Sequence, residues 1–291
     1  MQLDSLRVSS ETGLCVNVSS FQPLTLLVGV SGAGKSQILM YIETLFKLLQ
    51  GHTASNLEDG EYELCFHLNE DNYHYLVYIQ DHHPVIERLW LNDQLISDES
   101  PLIEFLPSFK RLKPINQLRN TPELTKRFLL ATPQQQEEIS SLFQFIFESI
   151  TDIQVKCTPL LPLQLFFKDP ADNWLNLDTL SDGMLKSFYY LTEIILSPAG
   201  SILLIDEFEN GLGLNCMGPL LEQMLIREDI QLILSSHHPY IIHNIPNEAW
   251  RIITREQSLI HVQSAQEFGI GQTKYDAFFE LMNRLEFEGS I

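Results

Sequence analysis

The sequence predicts an α/β fold, because several short apolar runs end in polar or glycine-rich residues. Residues 24–29 form such a run before a glycine-rich loop, and residues 36–49 continue with apolar positions at helical spacing. Residues 201–207 and 231–239 are two further apolar runs, and each ends in polar side chains. Strands that are apolar on both faces are typical of a parallel sheet covered by helices.

The N-terminal third predicts antiparallel strands. Residues 3–18 alternate apolar and polar side chains around a turn at Thr12-Gly13, which indicates two paired strands. Residues 62–91 alternate in the same way, with a polar turn at 69–72, and predict a hairpin. We therefore expect an antiparallel β-subdomain beside the parallel core.

The middle of the chain predicts an insertion. Periodicity weakens between residues 92 and 136, where five prolines recur, at Pro101, Pro107, Pro114, Pro122 and Pro133. Residues 137–150 regain a helical apolar stripe, and residues 153–167 read as extended. No repeat or long heptad run occurs. We expect a single domain, 1–291, with an inserted helical lid at about 92–150.

Composition limits the classes of partner. The net charge is −20, from 18 basic and 38 acidic side chains, which disfavours unaided nucleic-acid binding. One basic cluster, of Lys110, Arg111, Lys113 and Arg119, predicts either a DNA contact or a solvated surface. The four cysteines form no CxxC pair, and no apolar run approaches a membrane span. We expect a cytoplasmic protein without a membrane partner.

Residues 29–36, Gly-Val-Ser-Gly-Ala-Gly-Lys-Ser, match the P-loop pattern between a strand and a helix. Small residues in such a loop let successive backbone N–H groups surround phosphates. Lys35 is expected to reach the β and γ phosphates, and Ser36 to place its hydroxyl on Mg²⁺. The predicted ATP-binding residues here are Gly29, Ser31, Gly32, Ala33, Gly34, Lys35, Ser36 and Gln37.

Two acids and a histidine follow the later strands. Asp206 and Glu207 end a buried run, so Asp206 can hold Mg²⁺ while Glu207 orients and deprotonates the attacking water. His237 lies just past the next strand and is placed to hydrogen-bond a γ phosphate. His238 is expected to be an exposed neighbour. The predicted catalytic residues are Glu207 and His237.

Further motifs carry a family resemblance. Residues 180–186, Leu-Ser-Asp-Gly-Met-Leu-Lys, resemble the signature motif of ABC-type ATPases, which include transporter, SMC-like and OLD-like enzymes. Residues 209–212 resemble the D-loop, and His237 the switch histidine. The signature and the run Asp-Glu-Phe-Glu-Asn-Gly-Leu at residues 206–212 are more similar to OLD-like stand-alone ATPases than to transporter subunits. The resemblance covers residues 3–51 and 176–245.

The resemblance implies an ABC ATPase head that dimerises head to tail. Ser181 and Gly183 of one subunit would then close over ATP bound by Lys35 and Ser36 of the other. Asp182 departs from the family's usual glycine and puts a carboxylate near the expected γ phosphate. The family's Q-loop glutamine is not evident, with Gln80 and Gln117 as candidates.

The resemblance also suggests what the ATPase serves. It implies a homodimer or larger homo-oligomer that controls a separate effector, a nuclease or toxin, in anti-phage defence or DNA transactions. The alternatives are the nucleotide-binding subunit of a transporter and a pseudo-ATPase scaffold. A C-terminal apolar stripe is either core or a docking element; its residues are Tyr275, Phe278, Phe279, Met282 and Leu285.

Overall fold

The computed structural model describes residues 1–53, 56–97, 109–119, 122–156, 163–270, 280–281 and 283. Cys157 and the five residues of the C-terminal apolar stripe lie outside them. The chain divides into two compact units. Unit 1 comprises Met1–Arg111, Ala199–Phe208 and Asp229–Ile291, and unit 2 comprises Leu112–Pro198 and Glu209–Glu228. Among the described residues, no helix has the length and apolar character needed to cross a membrane.

The secondary structure confirms the mixed α/β class. The strands of the described residues are β1 (Gln2–Ser10), β2 (Cys15–Val18), β3 (Leu24–Val28), β4 (Gly60–Leu68), β5 (Asp71–Gln80), β6 (His83–Leu91), β7 (Gln94–Ser97), β8 (Phe109–Arg111), β9 (Asp152–Lys156), β10 (Gln164–Lys168), β11 (Trp174–Asn176), β12 (Ile202–Ile205), β13 (Gln231–Ser235), β14 (Trp250–Glu256) and β15 (Leu259–Ser264). The α-helices are α1 (Lys35–Leu49), α2 (Pro122–Leu130), α3 (Pro133–Ile146), α4 (Asp182–Leu196), α5 (Leu214–Ile226) and α6 (Pro239–Asn244).

Unit 1 contains one large sheet with a parallel and an antiparallel part. Its order is β7-β6-β5-β4-β1-β2-β15-β14-β3-β13-β12-β8 among the described strands. Strand β3 is parallel to β13 and β14, and β12 is parallel to β13 and β8. The carboxyl ends of β3, β13 and β12 therefore meet at one edge, where ligands bind in open α/β sheets.

Helix α1 packs against one face of this sheet. Ile38, Ile42 and Phe46 lie on one helical face and are fully buried. The Phe46 ring stacks on Phe109 at 4.5 Å between centroids and lies 5.5 Å from Phe66. One apolar core thus joins the helix after the glycine-rich loop to both parts of the sheet.

Unit 2 contains α2, α3, α4, α5 and the sheet β11-β10-β9. Four phenylalanines form its centre, with neighbouring ring centroids 5.0 to 5.5 Å apart. They are Phe128, Phe143, Phe167 and Phe188. These contacts bring α2, α3, α4 and β10 together, and so fix the position of the signature helix α4 within unit 2.

Two predicted segments differ in detail from the structure. Residues 62–91 form a meander of β4, β5 and β6, because Asp81 and His82 both take positive φ and make a second tight turn. Helix α3 begins at Pro133, before the predicted start at residue 137, because Thr132 and Gln135 form a capping box. Unit 2 comprises Leu112–Pro198 and Glu209–Glu228, whereas the predicted insertion covers about 92–150.

Candidate functional site

The glycine-rich loop joins β3 to α1, and two of its glycines are required by their surroundings. A Cβ on Gly29 would lie 2.3 Å from the Ile253 carbonyl oxygen. Gly34 has a φ of +113°, and a Cβ there would lie 2.5 Å from Ile260 Cδ1. The loop therefore runs close against β14 and β15. Helix α1 begins directly after Gly34, so the positive end of its dipole lies at the loop, where it favours an anion.

The other predicted loop residues differ in exposure. Ser31, Gly32 and Ser36 are exposed, whereas Ala33 is buried. Gln37 is half-buried, and its Nε2 donates a 2.8 Å hydrogen bond to the Tyr41 hydroxyl. The Gln37 amide is thus engaged along α1.

Lys35 is buried, and its ammonium group is held inside the loop. The Nζ atom donates to the carbonyl oxygens of Gly29, at 2.7 Å, and Val30, at 3.0 Å. A buried charge is costly unless polar groups surround it, and these carbonyls meet that need. The loop therefore carries a fixed positive charge where the P-loop pattern expects phosphates.

Asp206 follows β12 and is held by two hydroxyl groups, one from α1 and one from β13. Its Oδ1 accepts hydrogen bonds from Ser36 Oγ at 3.0 Å and from the buried Ser235 Oγ at 2.7 Å. Two oxygen ligands on one octahedral Mg²⁺ are about 2.9 Å apart, since Mg–O distances are about 2.0–2.1 Å. The spacing of Ser36 Oγ and Asp206 Oδ1 therefore fits a shared magnesium ion.

The other oxygen of Asp206 is bound by an arginine. Arg111 ends β8, the neighbour of β12, and its Nη2 lies 2.8 Å from Asp206 Oδ2. Its Nη1 lies 3.2 Å from Glu43 Oε2 on α1. The three side chains are each about three-quarters buried. A guanidinium thus compensates two carboxylates beside the predicted magnesium position.

Glu207 has an unusual backbone conformation for its position. Its φ is +46°, whereas the other non-glycine residues with positive φ among those described lie in tight turns between successive strands. The Glu207 N–H donates to Ser235 Oγ at 2.8 Å, and the Phe208 N–H to the Ser235 carbonyl at 3.0 Å. Such strain, on the order of 1–3 kcal/mol, is concentrated at functional sites. The turn leaves the Glu207 carboxylate exposed at the sheet edge.

The two histidines after β13 differ in exposure, and His238 is less exposed than predicted. His237 is the exposed residue, and His238 is half-buried. The His238 Nδ1 accepts the Tyr240 N–H at 3.2 Å and caps α6. Its predicted exposure was therefore wrong, because it serves as a helix cap. His237 remains the histidine exposed at the end of β13.

The signature residues lie at the N-terminus of α4, in unit 2. Ser181 is the N-cap, and its Oγ accepts the Met184 N–H at 3.3 Å. A Cβ on Gly183 would lie 3.3 Å from the Gly211 carbonyl oxygen, so the predicted D-loop segment packs against the signature. Ser181 is exposed, and the helix N-terminus behind it carries a partial positive charge.

The carboxylate of Asp182, which departs from the family pattern, has a local partner. Arg119 Nη2 lies 2.6 Å from Asp182 Oδ1. The same guanidinium donates to the carbonyls of Asp178, at 2.8 Å, and Leu180, at 3.3 Å. These bonds direct the Asp182 side chain toward the segment before α4, and Arg119 balances its negative charge.

The predicted basic cluster consists mainly of paired charges. Arg111 binds Asp206 and Glu43, and Arg119 binds Asp182. Lys113 Nζ lies 2.7 Å from Glu123 Oε2. These three cations are compensated within their own units, which weakens the case for a basic DNA-binding strip.

Sequence reasoning missed Ser235, Arg111 and Glu43. Ser235 is the only hydroxyl residue in β13, and its place in an apolar run was an available signal. Arg111 gave a weaker sequence signal, because its strand β8 has only three residues and lies in the proline-rich stretch. The Q-loop candidate Gln80 ends β5, away from β12 in the sheet order, and Gln117 lies in unit 2.

The fold resembles the heads of SMC proteins. An SMC head bound to the C-terminal winged-helix domain of ScpA is 14% identical, with a TM-score of 0.64 over 90% of this chain and 98% of that one. The Thermotoga maritima SMC head is 16% identical, with a TM-score of 0.50 over 91% and 99%. A Pyrococcus furiosus head with an extended coiled coil, bound to the C-terminal domain of ScpA, is 12% identical, with a TM-score of 0.58 over 98% and 99%.

A family model matches the chain at the level of sequence. No curated protein matches the chain. The model described as an AAA domain, putative AbiEii toxin of a type IV toxin–antitoxin system, matches residues 42–243, which is more than half of the chain. With the glycine-rich loop and the SMC-like fold, this match shows that the chain belongs to that AAA family and has the P-loop fold found in SMC heads.

Proposed function

We propose that the chain binds and hydrolyses ATP with Mg²⁺ between two copies of itself, and that the bound nucleotide sets the dimer state. The observation that carries this proposal is the arrangement around Ser235. Its hydroxyl accepts the Glu207 N–H and donates to Asp206, which also accepts from Ser36. The P-loop hydroxyl, the metal-binding acid and the catalytic acid thus share one network.

The residues of the proposed site have separate roles in the reaction. Lys35 and the N–H groups at the start of α1 bind the phosphates. Ser36 and Asp206 would hold Mg²⁺, which when bound would supply positive charge to the phosphate groups. Glu207 orients the attacking water and accepts its proton, and His237 hydrogen-bonds the γ phosphate. The strained turn at Glu207 supports this role, because it presents the carboxylate at the sheet edge.

The second copy would supply the signature residues. Ser181 and Gly183 stand at the exposed N-terminus of the 15-residue helix α4, a position that favours anions. Arg119 compensates the negative charge of Asp182 at this helix end. The family's head-to-tail dimer would close Ser181 of one copy over the γ phosphate of the other. Loss of that phosphate on hydrolysis would then open the dimer.

The switch would control a separate effector, a nuclease or toxin, in anti-phage defence or DNA transactions. The description of the family names a putative toxin of a toxin–antitoxin system, which supports a setting of this kind. The net charge of −20 favours a basic partner through complementary potential. ATP binding and hydrolysis would determine when the dimer holds that effector.

The wild-type chain tests this proposal directly. We expect it to release phosphate from Mg·ATP, and to double its mass in light scattering with ATP but not with ADP. EDTA should abolish phosphate release, because Asp206 and Ser36 act through the metal. ATP binding with no phosphate release above background would contradict the proposed hydrolysis and would indicate a scaffold that only binds ATP. An unchanged mass with ATP would contradict the dimer mechanism.

Arg111 leads to a separate prediction about magnesium. Replacing Arg111 with alanine leaves Asp206 and Glu43 without their shared cation, so magnesium should bind more tightly. For a partly buried pair we expect an effect of about 1 kcal/mol, or roughly fivefold. The measurement is the Mg²⁺ concentration that gives half-maximal binding of a fluorescent ATP analogue.

Lys113→Ala is the matched control for this change. It removes the same charge from a lysine that pairs with Glu123 in unit 2. Its magnesium requirement should equal that of the wild type. An Arg111→Ala chain that needs as much Mg²⁺ as this control, or more, would show that Arg111 does not compete with the metal.

A further inference from the structure

A second group of possible metal ligands lies on the antiparallel part of the unit 1 sheet. Glu63 and Cys65 are two residues apart on β4, so both point to the same face. His74 on β5 is the direct cross-strand partner of Cys65. The alternate residues Leu64 and Tyr75 point into the core. The three side chains therefore meet on the outer face of the sheet, opposite the apolar core.

The ligand atoms of these side chains are close together. Among the described residues, this is the one group of three or more His, Cys, Asp or Glu side chains whose donor atoms all lie within 4.8 Å of one another. The His74 Nε2 atom lies 2.7 Å from Glu63 Oε1. Nε2 is shielded from solvent, yet it makes no hydrogen bond of acceptable geometry. The imidazole nitrogen and the carboxylate oxygen thus lie close together without a well-aligned hydrogen bond. A cation bound to both atoms would stabilise this arrangement.

Neighbouring side chains hold two of the ligands in place. The His74 ring stacks on Trp90 of β6, with centroids 4.8 Å apart and planes 20° from parallel. Arg7 on β1 lies 3.8 Å from the second carboxylate oxygen of Glu63, which leaves Oε1 directed at His74. Such outer contacts fix the orientation of metal ligands before the metal binds.

The chemistry of the donor set selects a class of metal. A thiolate, an imidazole and a carboxylate suit Zn²⁺, whereas Mg²⁺ and Ca²⁺ prefer oxygen ligands alone. Tetrahedral Zn²⁺ with these ligands needs donor atoms about 3.3–3.6 Å apart, from Zn–S of about 2.3 Å and Zn–N or Zn–O of about 2.0–2.2 Å. Side-chain rotations that move the donors by about 1 Å would reach this geometry.

We infer that Glu63, Cys65 and His74 form a binding site for one zinc-class transition-metal ion, with a fourth position open to water. The site would join β4 to β5, and it uses none of the residues assigned to ATP. Metal binding would form an S–metal bond and release the thiol proton to solvent, which makes the affinity rise with pH.

Cobalt(II) titration of the full chain, free of tags and nucleotide, tests this inference. We expect one equivalent of Co²⁺ to bind with a thiolate-to-cobalt charge-transfer band in the near ultraviolet, and Zn²⁺ to displace it. Cys65→Ser should lose the band. His74→Gln should weaken binding by at least about tenfold. Magnesium bound by Ser36 and Asp206 would give no such band, because those ligands are oxygens.

Two variants with matched chemistry serve as controls. Cys15→Ser removes another partly exposed cysteine of the same sheet. His67→Gln removes another histidine of β4, whose Nδ1 lies 2.9 Å from Asp4 Oδ1. Both should keep the band and the affinity. Absence of the band in the wild type, or its retention in Cys65→Ser, would overturn the site. If Cys65→Ser fails to fold, equal cobalt affinity of wild type and His74→Gln would overturn it.

Discussion

Replacing Glu207 with glutamine is expected to slow ATP hydrolysis by about a hundredfold or more, because general-base catalysis contributes about 10²–10⁴ in rate. Glutamine keeps the size and polarity of the side chain but cannot accept the proton of the attacking water. Lys35, Ser36 and Asp206 are unchanged, so ATP binding should persist. The variant should therefore accumulate as an ATP-bound dimer.

Phosphate release and light scattering together measure this outcome. The φ of +46° at residue 207 is set by the backbone bonds to Ser235, and glutamine should retain it. Glu222→Gln, on the exposed side of α5, makes the same chemical change away from the site and should behave as wild type. A Glu207→Gln chain that hydrolyses ATP at the normal rate would remove Glu207 from the mechanism.

Replacing Lys35 with alanine is expected to abolish measurable ATP binding. Loss of a buried charged hydrogen-bonding partner costs about 2–5 kcal/mol, which corresponds to at least about 30-fold in affinity. The change also removes the donor to the Gly29 and Val30 carbonyls, so the loop should lose some order. Without ATP, the dimer and the hydrolysis should both be lost.

Equilibrium binding of a fluorescent ATP analogue provides the measurement, and thermal unfolding shows whether the chain stays folded. Lys47→Ala is a suitable control, because this lysine is on the same helix, is exposed and pairs with Glu43. It should bind ATP as the wild type does. A folded Lys35→Ala chain with wild-type affinity would mean that the glycine-rich loop is not the nucleotide site.

The position of the glycine-rich loop was predictable because its signals are local. A strand, a glycine-rich loop and a helix follow one another in residues 24–49, and the structure has β3, the loop and α1 there. Asp206 and Glu207 come directly after an apolar run, so burial of that run fixes their place at the strand end. Sequence alone suffices where neighbouring residues determine the geometry.

The contacts around Asp206 could not be predicted in the same way, because they depend on which strands become neighbours. Arg111 reaches Asp206 only because the three-residue strand β8 pairs with β12, and nothing in the proline-rich stretch indicates that pairing. Ser235 binds Asp206 because β13 is the neighbour on the other side. The Arg119–Asp182 pair likewise joins residues 63 positions apart.

The claim that two copies complete one ATP site is tested most directly by mixing two inactive variants. Lys35→Ala keeps its signature but lacks a working P-loop. Ser181→Asp keeps its P-loop and an N-cap residue for α4, since aspartate caps helices as well as serine, but it puts a negative charge where the γ phosphate would dock.

Each variant alone should release almost no phosphate. A mixed dimer pairs the intact P-loop of one copy with the intact signature of the other. The equimolar mixture should therefore regain phosphate release. Random pairing would make half of the dimers mixed, each with one complete site, which corresponds to about a quarter of the wild-type rate. A mixture no more active than the sum of the two folded variants would contradict a site shared between subunits.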